Sequence, residues 1–255
     1  MSLSVSIVSH GHGGYLPTLL QRLACVQAVI DRVWLTFDIP DPAVQSVLMQ
    51  TPWPFDLRIV CNPHSQSYAR NHNRAFQAEC VAAGRAPTYW WILNPDIDWV
   101  CDPSVPLLAA FADPVVGLAY PTQVDTAGQV QDHARRLPTL PQLLRRLASH
   151  ARGVTDKPVS RPDWVNGACF VVRGEVYARL GGFDERYRLY VEDVEFCLRL
   201  QLFGFVLRHA AGSQVAHVAH RRSRRHIRHL GWHLAGFARL WTSKTFWKYL
   251  WRGTQ

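Results

Sequence analysis

The chain has 255 residues, 48% hydrophobic and 11% aromatic, and a formal net charge of +9. Such a composition excludes a disordered chain and fits one large domain, or a domain with an appendage. No run of about 18 uncharged apolar residues occurs, so nothing is expected to span a membrane. The opening MSLSVSIVSHG lacks a positively charged region and reads as a first strand, so no signal peptide is expected. Six cysteines are scattered without CxxC spacing, most within apolar runs, and are expected to be buried free thiols in a reducing cytosol. Charge is uneven. Glu195 is the last acidic residue, and eleven Lys or Arg follow it. A nearly neutral domain with a basic end points to a polyanionic partner: nucleic acid, an anionic membrane surface or a phosphorylated substrate.

In chain order, residues 3–9 read as a strand and 15–26 as a helix; 32–39 and 57–62 read as further strands, 65–83 as a helix and 89–93 as a very apolar strand. Strands alternating with helices imply an α/β fold with a parallel sheet, in which ligands gather beyond the carboxyl ends of strands. The stretch HGHGG (10–14), Asp38 and Asp96-x-Asp98 all fall at such ends. Residues 131–163, rich in Arg, Pro and His, read as a long loop with a short helix at LPQLLRRLA (140–148). WVNGACFVV (164–172) reads as one strand, GEVYARLGG as a short helix and VEDVEFCLRLQLFGF (191–205) as an amphipathic helix.

Three groups of residues carry chemistry. Asp96 and Asp98 lie two apart, so in an extended segment they point the same way, and two hard oxygens suit Mg²⁺ or Mn²⁺. Taken alone, Asn-Pro-Asp is also good turn chemistry. Glu192 and Asp193 occupy the first turn of a core-facing helix, where the helix dipole favours acids. A carboxylate held there against apolar neighbours would have its pKa raised toward use as a general base. His217 and His220 in HVAHRRSRR are metal ligands, phosphate contacts or surface residues. HGHGG is not GxGxxG and no GxxxxGK[ST] occurs, which argues against a Rossmann dinucleotide site and a P-loop NTPase.

SVSIVSHG, LTFDIP, RNHNRAF, ILNPDI, the block from WVNGACFVV to LQLFGF, and HVAHRRS stand in the order seen in bacterial family 2 glycosyltransferases. Over residues 3–225 the chain resembles their rhamnosyltransferase-like members, which build lipopolysaccharide, O-antigen or other surface glycans. The resemblance implies a GT-A fold, a nucleotide-diphosphate sugar donor, a divalent metal (Mg²⁺ or Mn²⁺) and inversion at the anomeric centre. It implies that Asp96 binds the metal with Asp98 as a companion, that His217 helps hold metal or diphosphate, and that Asp193 is the catalytic base, with Glu192 as second choice. Ser9, His10, Gly11, Asp38 and Asn94 are placed on the donor side. The family's Gly-rich stretch is replaced here by CNPHSQSYARNHN, which leaves Asn71 or Asn73 to keep its role.

A catalytic domain over 1–220 is expected, its nucleotide-sugar half near 1–100 and its acceptor half near 101–220, followed by a basic amphipathic tail over 221–255. Ile227, Leu230, Leu234, Phe237 and Trp241 fall at helical spacing as one apolar stripe. After a break at Thr242-Ser243, KTFWKYLWR reads as a second helix suited to an interfacial anchor. A cytoplasmic enzyme, peripheral on the inner face of the bacterial plasma membrane and acting on a lipid-linked acceptor, is the expectation; a homodimer is compatible with it. The rival reading is a nucleic-acid-binding protein using the basic segment, but no nucleic-acid module is visible and none is expected to bind.

Overall fold

A computed structural model describes residues 2–151, 158–217 and 227–252 of the chain. The first half is the expected alternation: β1 (Leu3–Ser9), α1 (Leu16–Ala24), β2 (Arg32–Phe37), α2 (Pro42–Gln50), β3 (Asp56–Cys61), α3 (Tyr68–Ala83) and β4 (Tyr89–Leu93). Next come β5 (Ile97–Asp98), α4 (Ser104–Ala109), β6 (Val116–Val124), β7 (Ala134–Arg135) and α5 (Leu140–Ala151). After these follow β8 (Trp164–Val165), β9 (Cys169–Arg173), α6 (Gly174–Leu180), α7 (Glu192–Leu202), β10 (Val206–His217), α8 (Ile227–Trp241) and α9 (Lys244–Arg252).

Eight strands form one sheet in the order β3-β2-β1-β4-β9-β6-β10-β5. β1 to β4 are mutually parallel, whereas β9 runs antiparallel to both β4 and β6. Helices cover both faces, which explains why β4 is apolar throughout. Its alternation sends Tyr89, Trp91 and Leu93 into one core and Trp90 and Ile92 into the other. β1 does the same with a difference. Leu3, Val5 and Ile7 enter the first core, while Ser4 and Ser6 face α3 and donate to or share a proton with Glu79 (2.9 Å) and His72 (2.7 Å). The buried Glu79 carboxylate is further held by Arg32 at 2.8 Å and the Trp34 indole at 2.7 Å, which meets the rule that a buried charge needs partners. Helix α3 starts at the Ser67 cap, whose hydroxyl accepts from the Arg70 amide, and stops at Gly84 in the left-handed conformation.

Several expectations are corrected. WVNGACFVV is not one strand: β8 pairs with β7 in a small ribbon, β9 joins the main sheet, and Asn166-Gly167-Ala168 turns between them. The break is fixed by a reciprocal amide pair, Gln123 with Asn166, at 2.7 and 2.9 Å. The six cysteines are free, but only Cys169 and Cys197 are buried; Cys25, Cys61 and Cys101 are exposed. These three sit at the end of a helix, at the end of edge strand β3 and in a loop, where an apolar neighbourhood in sequence gives no burial. Nor do α8 and α9 hang free. Leu240 and Phe246 lie in the same core as Phe196 and Leu200 of α7, and the Tyr249 hydroxyl donates to Asp163 at 2.8 Å. The apolar stripe read for α8 packs only in part: Phe237 and Trp241 lie against the second core, whereas Leu230 and Leu234 are 59% and 62% exposed and His229, His233 and Gly236 turn inward onto residues 190–191. No described helix is long and apolar enough to cross a membrane.

Candidate active site

The carboxyl ends of β1, β2, β3 and β4 meet at one edge of the sheet. The hub at this edge is Asp38, just past β2 and almost fully buried. Its Oδ1 accepts from Asn62 (3.0 Å), Asn71 (3.0 Å) and the Gln66 amide (2.7 Å); its Oδ2 accepts from Ser65 (2.7 Å) and meets His10 Nδ1 at 2.7 Å. Burial alone would raise its pKa. The Gln66 amide, Ser65, Asn71 and His10 outweigh that and hold it at about 2. Asp38 and Asn71 therefore lie beneath the surface, and the residue they present outward is His10, whose side chain is 58% exposed. The buried Ser9 hydroxyl accepts from the His12 amide at 3.2 Å. Exposed Gly11, at φ +75, has open space where a Cβ would be. An approaching ligand thus meets His10 and backbone.

Asn73 is not part of this edge. Its amide donates to Phe183 O (2.8 Å) and Glu185 (3.1 Å), and its carbonyl accepts from the Tyr177 hydroxyl (2.8 Å) and the Phe183 amide (2.9 Å). All four of its bonding positions are used, so the expected donor contact is corrected to a structural tie across the turn at Gly181-Gly182.

The metal residues separate as well. After β4 the chain turns at Pro95-Asp96 instead of running extended, so Asp96 and Asp98 do not share a side. Asp98 pairs with Arg22 at 2.9 Å on the surface. Asp96 faces His217, with Oδ2 to Nε2 at 3.5 Å. The antiparallel pairing of β5 with β10, with Ile97 opposite His217, brings these two together. Burial pushes the Asp96 pKa up, but His217, and to a smaller degree His12, bring it below the ordinary value. His12 lies close enough to feel Asp96 in return. One carboxylate oxygen and one imidazole nitrogen form a borderline-hard donor set suited to Mn²⁺ or Mg²⁺. Two ligands sharing an octahedral ion at about 2.1 Å stand about 3 Å apart, so a gap of 3.5 Å needs little closure. His217 Nδ1 is buried with no hydrogen-bond partner among the described residues. The pair fits a metal as a partial site. Among the described residues no third His, Cys, Asp or Glu completes a cluster. His220 lies outside the described residues.

On the acceptor side, Asp193 opens α7. Its Oδ2 accepts from the Gly167 amide at 3.0 Å and its Oδ1 from the Val194 amide at 2.8 Å. The Tyr68 hydroxyl donates to Gly167 O at 2.7 Å. Asp193 is half-buried; Glu192 is 5% exposed, and its Oε2 has no partner among the described residues. Burial pushes both carboxyls up, Glu192 to about 8 with the neighbouring Asp193 charge adding to it. The helix is entered through two left-handed residues that are not glycine, Tyr190 (φ 71) and Val191 (φ 72). Such a conformation costs roughly 1–2 kcal/mol per residue, more for a β-branched one. Beyond the last residue pair of β4 and β9, the backbone amide of half-buried Asn94 donates to Ala168 O at 2.8 Å, beside Gly167. The β4–β9 pairing, with Leu93 opposite Cys169, makes that bond inevitable.

Residues 111–255 match the family described as Glycosyl transferase family group 2. The chain belongs to that family. It is therefore a glycosyltransferase, and its relatives narrow the kind. It is 28% identical to an N-acetylglucosaminyl-diphospho-decaprenol L-rhamnosyltransferase of Mycobacterium tuberculosis, covering 91% of this chain and 81% of that one. It is 25% identical to rhamnosyltransferase WbbL of Escherichia coli, covering 90% and 89%. Among solved structures it resembles the mannosyltransferase PcManGT of Pyrobaculum calidifontis in complex with GDP-Man and Mn²⁺, with a TM-score of 0.60 at 17% identity. That match covers 93% of this chain and 64% of the other, and it shows the GT-A fold. Sequence reasoning missed His12 and Tyr68 as site residues. The HGHGG stretch held the signal for His12; the contact of Tyr68 with Gly167 spans 99 residues and left none.

Proposed function

We propose that the glycosyltransferase moves a rhamnosyl group from a nucleotide-diphosphate donor, dTDP-rhamnose, to a hydroxyl of a saccharide carried on a polyprenyl diphosphate, with inversion. The observation that carries the reading is the bond from Asn94 to Ala168, which sets the Asp96–His217 pair and the Asp193 carboxylate on either side of one backbone contact. Rhamnosyltransferases of similar sequence over nine-tenths of the chain support the sugar, and the decaprenol-linked substrate named for one of them supports the acceptor class.

In this reading residues 1–100 hold the nucleotide sugar and 101–220 the acceptor. His10, Gly11 and the end of β1 contact the nucleotide, with Asp38, Asn62 and Asn71 fixing His10 from beneath. Asp96 and His217 hold the divalent ion, which when bound supplies positive charge to the departing diphosphate. Asp193 accepts the proton of the acceptor hydroxyl as its oxygen attacks the anomeric carbon; the bond to the diphosphate breaks on the opposite face. Its raised pKa makes it a stronger base than an ordinary carboxylate, and the Gly167 and Val194 amides fix its direction.

The test is transfer itself. Incubation of dTDP-rhamnose and a polyprenyl-diphospho-N-acetylglucosamine with Mn²⁺ or Mg²⁺ should give a product of inverted anomeric configuration by NMR, and EDTA should abolish it. Asp96→Ala should lose nearly all transfer and metal-dependent nucleotide binding, whereas Asp98→Ala, which breaks only a surface ion pair, should keep most of both. Retention of configuration, or full activity in EDTA, overturns the mechanism; stabilisation by a different sugar nucleotide alone overturns the donor.

A peripheral location on the cytoplasmic face of the plasma membrane belongs to the same proposal. Helix α9 buries Phe246 and turns Lys244, Trp247, Lys248 and Trp251 outward, with Trp247 and Trp251 50% and 69% exposed. Trp beside Lys suits the headgroup region of an anionic bilayer. Binding to anionic vesicles should weaken with salt and with Trp247→Ser plus Trp251→Ser. No co-sedimentation at low salt would remove the membrane from the proposal.

A further inference from the structure

The two left-handed residues ahead of the acids are the least expected backbone in the molecule, and α8 is built around them. The His233 ring lies flat on Tyr190, with centroids 3.6 Å apart and planes 7° apart. The Tyr190 hydroxyl meets His229 Nδ1 at 2.8 Å. Arg188, two residues earlier, sits over the Trp232 ring at 5.2 Å. One turn on, Gly236 comes so close that an added Cβ would meet Val191 Cγ2 at 2.9 Å, Val191 Cβ at 3.2 Å and Tyr190 O at 3.3 Å. Positions 229, 232, 233 and 236 form one face of the helix, and all of it faces residues 188–191. The carbonyl of Val191 in turn accepts the Glu195 amide at 3.0 Å, so this turn sets the start of α7 and the direction of Asp193.

We infer that α8 is a positioning clamp for the catalytic base: His233, His229 and Gly236 hold Tyr190-Val191 in the left-handed turn that aims Asp193 at the acceptor. Local capping does little to hold it. The α7 start has no side-chain cap, and neither residue 190 nor 191 is a glycine that would adopt the turn without cost. Burial keeps His233 well below its ordinary pKa, at about 4, so the ring on Tyr190 is neutral and its stacking does not vary near neutral pH. From the other elements, Tyr68 of α3 and Arg135 of β7 face the acid pair, and Arg135 also lies close enough to His233 to help lower its pKa. The residues that act on the chemistry through this turn are thus spread over a helix some 40 residues further along the chain.

The inference rests on Asp193 being the base, and the experiment separates the two ideas by reading the turn without substrate. In Gly236→Ala the new methyl displaces Val191. Hydrogen exchange at the Glu195 amide should then speed up by about tenfold or more while core amides of β4 stay protected. With dTDP-rhamnose and the polyprenyl-linked acceptor, kcat should fall about 10- to 100-fold, as a displacement of about 1 Å in a reacting group does, with the donor KM unchanged. The double variant Val191→Gly plus Gly236→Ala removes the atoms that collide and lets residue 191 take a positive φ freely, so it should recover most of kcat and of the protection. If Gly236→Ala does not fold, His233→Ala and His233→Phe decide instead. The first should lose kcat, and the second, which keeps a flat ring over Tyr190, should retain it. Unchanged Glu195 exchange and unchanged kcat in folded Gly236→Ala, failure of the double variant to recover, or equal kcat in the two His233 variants overturns the clamp. An exchange response in a protein that transfers no sugar leaves the clamp standing and removes the proposed function.

Discussion

The two carboxylate regions of this glycosyltransferase are opposite in construction. Asp38 receives five hydrogen bonds and is held at a pKa of about 2, on unstrained backbone between a strand and a loop. Glu192 and Asp193 are pushed upward, one oxygen of Glu192 is unpaired among the described residues, and both follow two strained residues. In the proposed function the difference separates recognition from reaction. A group that only shapes a pocket gains from every bond it makes, because each one fixes it further. A group that must take a proton loses basicity with each donor it accepts, so it is left partly unsatisfied and oriented by backbone instead. Strain of this kind persists where the surroundings over-determine it, and α8 provides the surroundings.

The comparison breaks most easily at Asp193. Asp193→Asn keeps size and can still accept from Gly167, but it cannot take the proton. Turnover should fall by about 10²–10⁴ with the donor KM nearly unchanged, measured by steady-state kinetics at saturating acceptor. Glu192→Gln should cost less. If only the Glu192 variant shows that pattern, the buried residue is the base and the half-buried one its support.

Asp38 gives an effect of the other kind, on stability. A folded pKa below the ordinary value means that its stabilisation is fully present above about 3.8 and is lost as pH falls toward about 2. A shift of nearly two units corresponds to about 2.5 kcal/mol. Asp38→Asn should lower stability by about that amount at pH 7 and flatten the acid side of the unfolding curve between pH 4 and 2, followed by urea titration. Its kcat, once donor is saturating, should change little. A large kcat loss with unaltered stability would make Asp38 part of the reaction and erase the contrast.

How much of this was legible depends on distance along the chain. The alternation of β1 to β4 with α1 to α3 could be read because each element carries its own periodicity, and the acids fell at strand ends for the same reason. Asp96 and Asp98 were expected to point the same way because a two-residue spacing is informative only in extended backbone, and Pro95-Asp96 turns. Asn73 was misread because Phe183, which satisfies it, lies 110 residues away. The stripe on α8 was only half legible by counting large apolar residues: Phe237 and Trp241 do pack, but His229, Trp232, His233 and Gly236 pack on a turn while Leu230 and Leu234 face out. That turn was invisible, since left-handed backbone is normally announced by glycine or asparagine and here falls on Tyr and Val.

The test that separates the halves by pH alone concerns Glu192. Its folded pKa of about 8 lies above the ordinary 4.5, so the native state keeps a proton that the unfolded chain has already released. Stability must then fall as pH rises from about 4.5 to about 8 and level off beyond, the reverse of the Asp38 dependence. Burial is the main cause and the Asp193 charge the second, so removing either carboxylate should reduce the slope. Glu192→Gln should be more stable than the wild type near pH 8 and indistinguishable from it near pH 4. Asp193→Asn should show a weaker version of the same change. Chemical unfolding at a series of pH values would measure both, and a wild-type slope that survives in Glu192→Gln would mean that the carboxyl is ionised in the folded protein. The strained turn would then be holding a charge in place, and Glu192 Oε2 would look to the acceptor for the partner it lacks among the described residues.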